Sequence, residues 1–329
     1  MVVLEAEAAL AADDNAGASR LARGALESGV AGPEVRCHAL EIIGRAERLH
    51  NLDAARTAFE QALETAEAAQ LPLWRLRALH ELGTIDLFDH AGTERLIAAR
   101  RTADELGAVS TAAFLDLRLS AAFVCRWEID ESATHARSAA MLAEQLGLAK
   151  VRAMALCSLA HCCAFHCDAA EAERLAALTL SLAPGDAEVK ALCLCARAII
   201  PVLDGDRPGA IEALRPGMAI LARLPHAVPA AIRAVWPLLL ASVGDDRSAA
   251  AIKDARRLGV GAFRLNRGLL GYAEAIIAGR AGNAARAQQL AADADRDFVN
   301  SAVWGHLART LAAEPGDADG WGQPHHWLA

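Results

Sequence analysis

The chain repeats itself. Turn-forming residues at Asn15, Asp53, Gly92, Asp130, Asp168, Asp206, Asp245 and Asn283 stand 38, 39, 38, 38, 38, 39 and 38 residues apart, and each separates two Ala/Leu-rich stretches of helical spacing. One such period is the length of a helical hairpin. A lone hairpin cannot bury its apolar stripe, so successive hairpins must stack into a continuous seam. The spacing therefore predicts an all-α superhelical solenoid of about eight helix-turn-helix repeats with a ~38-residue period, an architecture that binds and relays.

Composition agrees. The chain is 54% hydrophobic and only 4% aromatic, with Ala and Leu dominant and few β-branched runs, so helix is favoured over strand. The expected pairs are Val2–Ala12 with Ala16–Ser28, Glu34–His50 with Asp53–Ala69, Pro72–Asp89 with Thr93–Leu106, Ser110–Trp127 with Glu131–Leu146, and Leu148–Cys167 with Ala169–Leu182. Further second helices begin near Arg207, Asp246 and Ala284, and Phe298–Ala313 reads as an unpaired helix. Glycines at 107, 147, 244, 259 and 282 fall where helices should stop. Six prolines between 201 and 237 interrupt the pattern and point either to a bend near 224–230 or to first turns of shorter helices. The solenoid is expected over 1–315 as one extended domain, with 316–329 a C-terminal loop and the start of a truncated helix.

Charge excludes some functions. The net charge is −8, and the arginines are interleaved with acids along helix faces, as in Glu41-Ile-Ile-Gly-Arg45, leaving no basic stripe for nucleic acid. No stretch approaches the roughly 18 uninterrupted apolar residues of a membrane span, and the N-terminus lacks an export signal, so a cytoplasmic location with eight reduced cysteines is expected.

Catalytic signatures are absent. There is no Gly-Lys dipeptide and hence no P-loop, His80-Glu81-Leu82-Gly83-Thr84 lacks the second histidine of a zinc-protease helix, and no Gly-x-Ser-x-Gly elbow occurs. The chain is read as a non-enzyme without cofactor. The cluster Cys157, His161, Cys162, Cys163, His166 and Cys167 invites a metal or thiol-sensing reading, with Cys157 and His161 the weak candidates for metal. Taking Cys157 as zero, these residues fall at about 40°, 140°, 240°, 180° and 280° around a helix. Ligands so dispersed do not converge on one ion, and small buried cysteines serve equally as core.

The details of each pair resemble tetratricopeptide repeats. In Leu40 to Gly44 and Asp53 to Ala62, Gly44 lets the helices approach while Ala55, Phe59 and Ala62 form one stripe. By that resemblance the first helices line a concave groove, which predicts a ligand or partner surface from Glu41, Arg45, Arg48, His80, Thr84, Leu119, Phe123, Trp127, Cys157, His161, Cys195 and Tyr272. Packing between helices is the competing role for these positions, for Phe123 and Cys195 above all.

Several longer strings, in order and spacing, resemble the helical-repeat region of the large ATP-binding LuxR-type (MalT-like) transcriptional regulators of actinobacteria. They are Leu73-Trp74-Arg75-Leu76-Arg77 through His80-Glu81-Leu82-Gly83 to Asp86, Arg95 to Arg100, Glu105 to Ser110, Asn266-Arg267-Gly268 with Tyr272, Gly279 to Gly282, and Gly320-Trp321-Gly322 with Trp327-Leu328. The resemblance spans essentially the whole chain. It implies an effector-sensing or protein-interaction domain that relays binding to an ATPase and a helix-turn-helix module, neither of which has residues here. A fragment or truncated gene is therefore expected. A protein partner or small effector would sit in the groove, self-association would accompany it, and this chain would touch neither nucleic acid nor membrane. The alternatives are a free-standing tetratricopeptide adaptor and a thiol or metal sensor.

Overall fold

The computed structural model describes residues 2–29, 31–48, 51–224 and 231–313. Among them are α-helices and one 3-10 turn, and no strand. The expected bend near 224–230 falls, apart from Leu224, outside the described residues, as does the loop at 316–329. No helix of the described residues is long and apolar enough to cross a membrane.

The chain divides into two compact units, one formed by residues 1–87 and 92–115, the other by 88–91 and 116–329. The first holds α1 (Val2–Ala11), α2 (Asn15–Glu27), α3 (Pro33–Glu47), α4 (Leu52–Ala68), α5 (Pro72–His90) and α6 (Glu94–Glu105). Helix α7 (Val109–Arg126) runs through the boundary. The second unit continues with α8 (Ile129–Gln145), α9 (Ala149–Phe165), α10 (Ala169–Leu182), α11 (Ala187–Ala196), α12 (Ile199–Leu203), α13 (Arg207–Leu221), α14 (Ile232–Val243), α15 (Ser248–Arg257), α16 (Arg264–Arg280), α17 (Ala284–Asp295) and α18 (Ala302–Ala312).

One local device recurs at the hairpin turns. A residue in the left-handed region ends the first helix, and the next residue is an Asp or Asn whose side chain caps the second. Asp14 accepts from the Gly17 N–H, Asp168 from Glu171, Asp206 from Gly209 and Asn283 from Arg286. The preceding residues Asp13, Cys167, Gly205 and Gly282 all have positive φ. The caps nevertheless depart from the regular markers of the sequence. Asp14, Asn51, Thr93 and Glu128 flank the second helices where Asn15, Asp53, Gly92 and Asp130 were expected. At Asp14 and Glu128 the residue before the cap, Asp13 or Trp127, is left-handed, and there the left-handed residue rather than the nearest turn-forming side chain marks the start.

Prolines explain the remaining irregularity. The first helix of the sixth hairpin is broken into α11 and α12, so that Pro201 lies in a first turn where its missing N–H costs no hydrogen bond. Pro208 likewise sits at the start of α13, whereas Pro216 and Pro237 lie inside α13 and α14.

Close approach of paired helices rests on small residues. A Cβ at Gly44 would stand 2.5 Å from the fully buried Phe59 ring, and one at Gly83 would stand 2.8 Å from the Leu96 main-chain nitrogen. In the second unit one apolar cluster runs from Ile129 to Leu311, so its core is a single seam that includes α18.

Candidate functional site

In the first unit, α3 and α5 present adjacent polar faces. His38, Glu41, Arg45 and Arg48 follow at i, i+3, i+7 and i+10, and Trp74, Arg77 and Glu81 at i, i+3 and i+7, so each set falls along one side of its helix. The two sides lock together. Arg77 donates through Nε and Nη2 to both Glu41 oxygens, at 2.6 and 2.8 Å, while Arg48 Nη1 donates to Glu81 Oε2 at 2.7 Å. Arg45 stands 3.8 Å from the same Glu41 and is 45% exposed. Arg77 also lies over the Trp74 ring at 4.7 Å, and His38 packs on that indole at 5.4 Å. The hydrogen-bonded Glu41 raises the Arg77 pKa, so the guanidinium stays charged. The result is a strip of indole, guanidinium and carboxylate, with Glu41 buried beneath and the arginines partly open to solvent.

Sequence reasoning places Glu41, Arg45 and Arg48 here and misses His38, Trp74, Arg77 and Glu81. Their signal was available in principle, since Glu41 and Arg77 are 36 residues apart, about one repeat. Of the other expected residues in this unit, His80 is half-buried and its carbonyl accepts from Thr84 Oγ1 at 2.9 Å, while Thr84 itself is buried.

In the second unit the expected residues fall into separate environments. Leu119 and Phe123 are core residues, and Phe123 stacks on His135 with centroids 5.4 Å apart. The His135 Nδ1–H and the Ser138 hydroxyl both donate to the buried Asp116, at 2.8 and 2.6 Å, joining α7 to α8. Tyr272 is buried and donates to Asp295 Oδ1 at 2.7 Å; burial and that carboxylate push its pKa up to about 12.

The cysteine cluster is a packing seam. Cys157, Cys162, Cys193 and Cys195 are buried, whereas Cys167 is exposed. The His161 Nδ1–H donates to the Cys157 carbonyl at 2.8 Å, and burial lowers its pKa, so the imidazole is held neutral. Hydrogen bonding to Cys193 and burial hold the Cys157 thiol well above its ordinary value, and burial alone pushes Cys125 to about 12. Thiols held in that form are poor nucleophiles. Among the described residues no three His, Cys, Asp or Glu side chains group as metal ligands.

Trp127 stands in the most distinctive setting. It occupies the left-handed turn position at φ +65°, a pose that costs a bulky residue roughly 1–2 kcal/mol. Its ring packs edge-on against Phe165 at 5.0 Å and against Trp304 of α18 at 5.2 Å. The three rings, with Val202, Val235 and Leu307, line a small apolar pocket of about 40 Å³.

No protein-family model and no curated protein matches the chain. Among solved structures it is similar to the apo form of RapI, with a TM-score of 0.53 and 12% sequence identity over 85% of this chain and 80% of that one. At that identity the likeness establishes an all-α helical-repeat fold, and nothing finer.

Proposed function

We propose that the chain is a protein-interaction module with a regulatory role, and within that class the effector-sensing repeat region of a LuxR-type regulator, acting in the cytoplasm as a binder rather than an enzyme. The observation that carries this reading is the strip on α3 and α5. Trp74, Arg77, Arg45 and Arg48 offer a partly solvated aromatic face with fixed guanidinium groups, the residue types that anchor peptide and protein partners. Because Glu41 and Glu81 orient the arginines beforehand, little side-chain entropy remains to be lost on binding. The longer resemblance to the LuxR-type regulators supports the finer reading, in which binding shifts the repeats between two arrangements and is relayed to ATPase and DNA-reading modules.

Selection of helical and extended peptides on the whole chain tests the site. Selected peptides should lose at least tenfold in affinity on Trp74→Ala or Arg45→Glu and be unaffected by Arg174→Glu, whose side chain projects to solvent from α10. Peptides that tolerate both strip substitutions would remove the site. Sequencing the reading frame on either side tests the finer assignment, for which a nucleotide-binding module upstream and a helix-turn-helix downstream are expected.

A further inference from the structure

Two arginines from different hairpins converge on one helix end. Arg207, at the start of α13, donates through Nη1 to the Ser242 carbonyl at 3.2 Å, and Arg280, in the last turn of α16, donates through Nη2 to the same oxygen at 3.0 Å. The two cations are therefore near neighbours. Gly244 makes the room for this: its left-handed φ ends α14, and a Cβ there would fall on Arg280 Nη1.

Their charges do not cancel locally. Among the described residues neither guanidinium stands within ion-pair reach of a carboxylate. The acceptors are main-chain carbonyls, Ser242 for both, with Thr310 and Ala313 at 3.1 and 3.0 Å for Arg207. Those oxygens belong to the ends of α14 and α18, and a helix C-terminus carries roughly half a negative charge. Two such ends offset about one of the two cations, so close to one positive charge is left over.

That excess adjoins a cleft. A space of about 320 Å³ opens between α16, α17 and the end of α18, and Arg280 is the one charged side chain lining it. Ile276 and Leu311 supply apolar wall, while Gly279, Ala287 and Ala291 leave room by their small size. Tyr272, which the sequence marks as a groove residue, also lines it. Of the five N–H groups of a guanidinium, Arg280 commits one to Ser242, which leaves donors for a ligand.

We propose that this cleft binds a small amphipathic organic anion, a carboxylate carried on an apolar chain or ring, with the carboxylate on Arg280, the charge of Arg207 adding to the field, and the apolar body against Ile276 and Leu311. The class follows from the lining. One surplus positive charge calls for a monoanion, and mostly apolar walls call for a body that gains by leaving water. A bare phosphate would leave those walls unused. The site lies beyond the interaction strip on α3 and α5 and shares no residue with it.

Calorimetric titration of the whole chain with 4-phenylbutyrate and with its uncharged amide tests this. The carboxylate should bind at least tenfold more tightly than the amide, lose at least tenfold on Arg280→Gln, recover part of that on Arg280→Lys, and weaken as salt is raised. Arg280 is exposed, so its replacement leaves the core intact. Binding that survives Arg280→Gln overturns the inference, as does a series of straight-chain and aryl carboxylates of which none binds better than its amide. Inorganic phosphate bound as tightly as the best carboxylate overturns the assignment of an apolar body. Glu314, Asp317 and Asp319 follow α18 in the sequence and carry the same chemistry. If replacing them by Gln, Asn and Asn raises the affinity for 4-phenylbutyrate at least tenfold, the arginines serve the chain's own carboxylates and the free-ligand assignment falls; equal affinity supports it. Peptides selected on the α3–α5 strip should bind Arg280→Gln unchanged, so the two readings fall separately.

Discussion

The same substitution should have opposite signs at two glycines. Gly24 lies exposed in α2, and a Cβ built there meets nothing within 4 Å, so Gly24→Ala gains helix propensity and a less flexible unfolded chain without a clash. It should stabilise by about 0.5–1 kcal/mol. Gly83 in α5 gains the same propensity term, but its Cβ would stand 2.8 Å from Leu96 Cγ, Cδ2 and main-chain nitrogen. Leu96 is fully buried near the start of α6, so a rotamer change cannot clear the main-chain contact and the helices must separate. Overpacking of this kind costs about 1–3 kcal/mol, and the backbone contact puts it in the upper part of that range. The net expectation for Gly83→Ala is a loss of about 1–2 kcal/mol. With a urea slope of about 1–3 kcal/mol/M, that lowers the midpoint by roughly 0.3–2 M, readable by far-UV circular dichroism. A Gly83→Ala protein as stable as the original would refute the idea that the small residue sets the α5–α6 distance.

Three further outcomes follow from the site geometry. Arg77→Gln removes both charged donors from the nearly buried Glu41; discounted for the exposure of Arg77, the expected cost is about 1–2 kcal/mol in chemical unfolding, and Lys at 77 should recover only part of it. Trp127→Gly relieves a left-handed backbone by about 1 kcal/mol yet deletes the ring between Phe165 and Trp304, whose loss costs about 3–5 kcal/mol, so a net drop of about 2–4 kcal/mol is expected by urea titration. His161, whose pKa is lowered by burial, binds its proton more readily when unfolded. Its contribution is fully present above pH 6.5 and is lost as pH falls through the lower folded value. The difference in urea midpoint between pH 7.5 and 5.5 should therefore shrink in His161→Gln, and an unchanged difference would show that other groups carry it.

The repeat was legible because it rests on local chemistry: alternating helix-forming stretches and turn residues announce each hairpin from within its own period. The register of the second helices was less so. Where two turn-formers stand close together, as at Asp14 and Asn15 or Asn51 and Asp53, propensity alone cannot say which one caps, and at 127 the left-handed residue is a tryptophan, which no turn signature anticipates. The polar strip was half visible. Helical periodicity collects Glu41, Arg45 and Arg48 on one side of α3, but Arg77 and Glu81 join them only through the packing offset between repeats. The return of Trp304 to Trp127 has no local signature at all, because it depends on how small rotations between hairpins add up over many repeats.

The placement of Trp127 has a mechanical consequence. Gly205, Gly244 and Gly282 occupy the equivalent turn in later hairpins and carry no side chain, so those turns can flex without disturbing anything beyond the backbone. At 127 the turn holds a large ring, and the narrow left-handed basin leaves that ring little freedom to move unless the α7–α8 hairpin moves with it. Opening of the hairpin and displacement of the indole are then one coordinate, so that of the six tryptophans it is Trp127 whose surroundings register the angle between two helices.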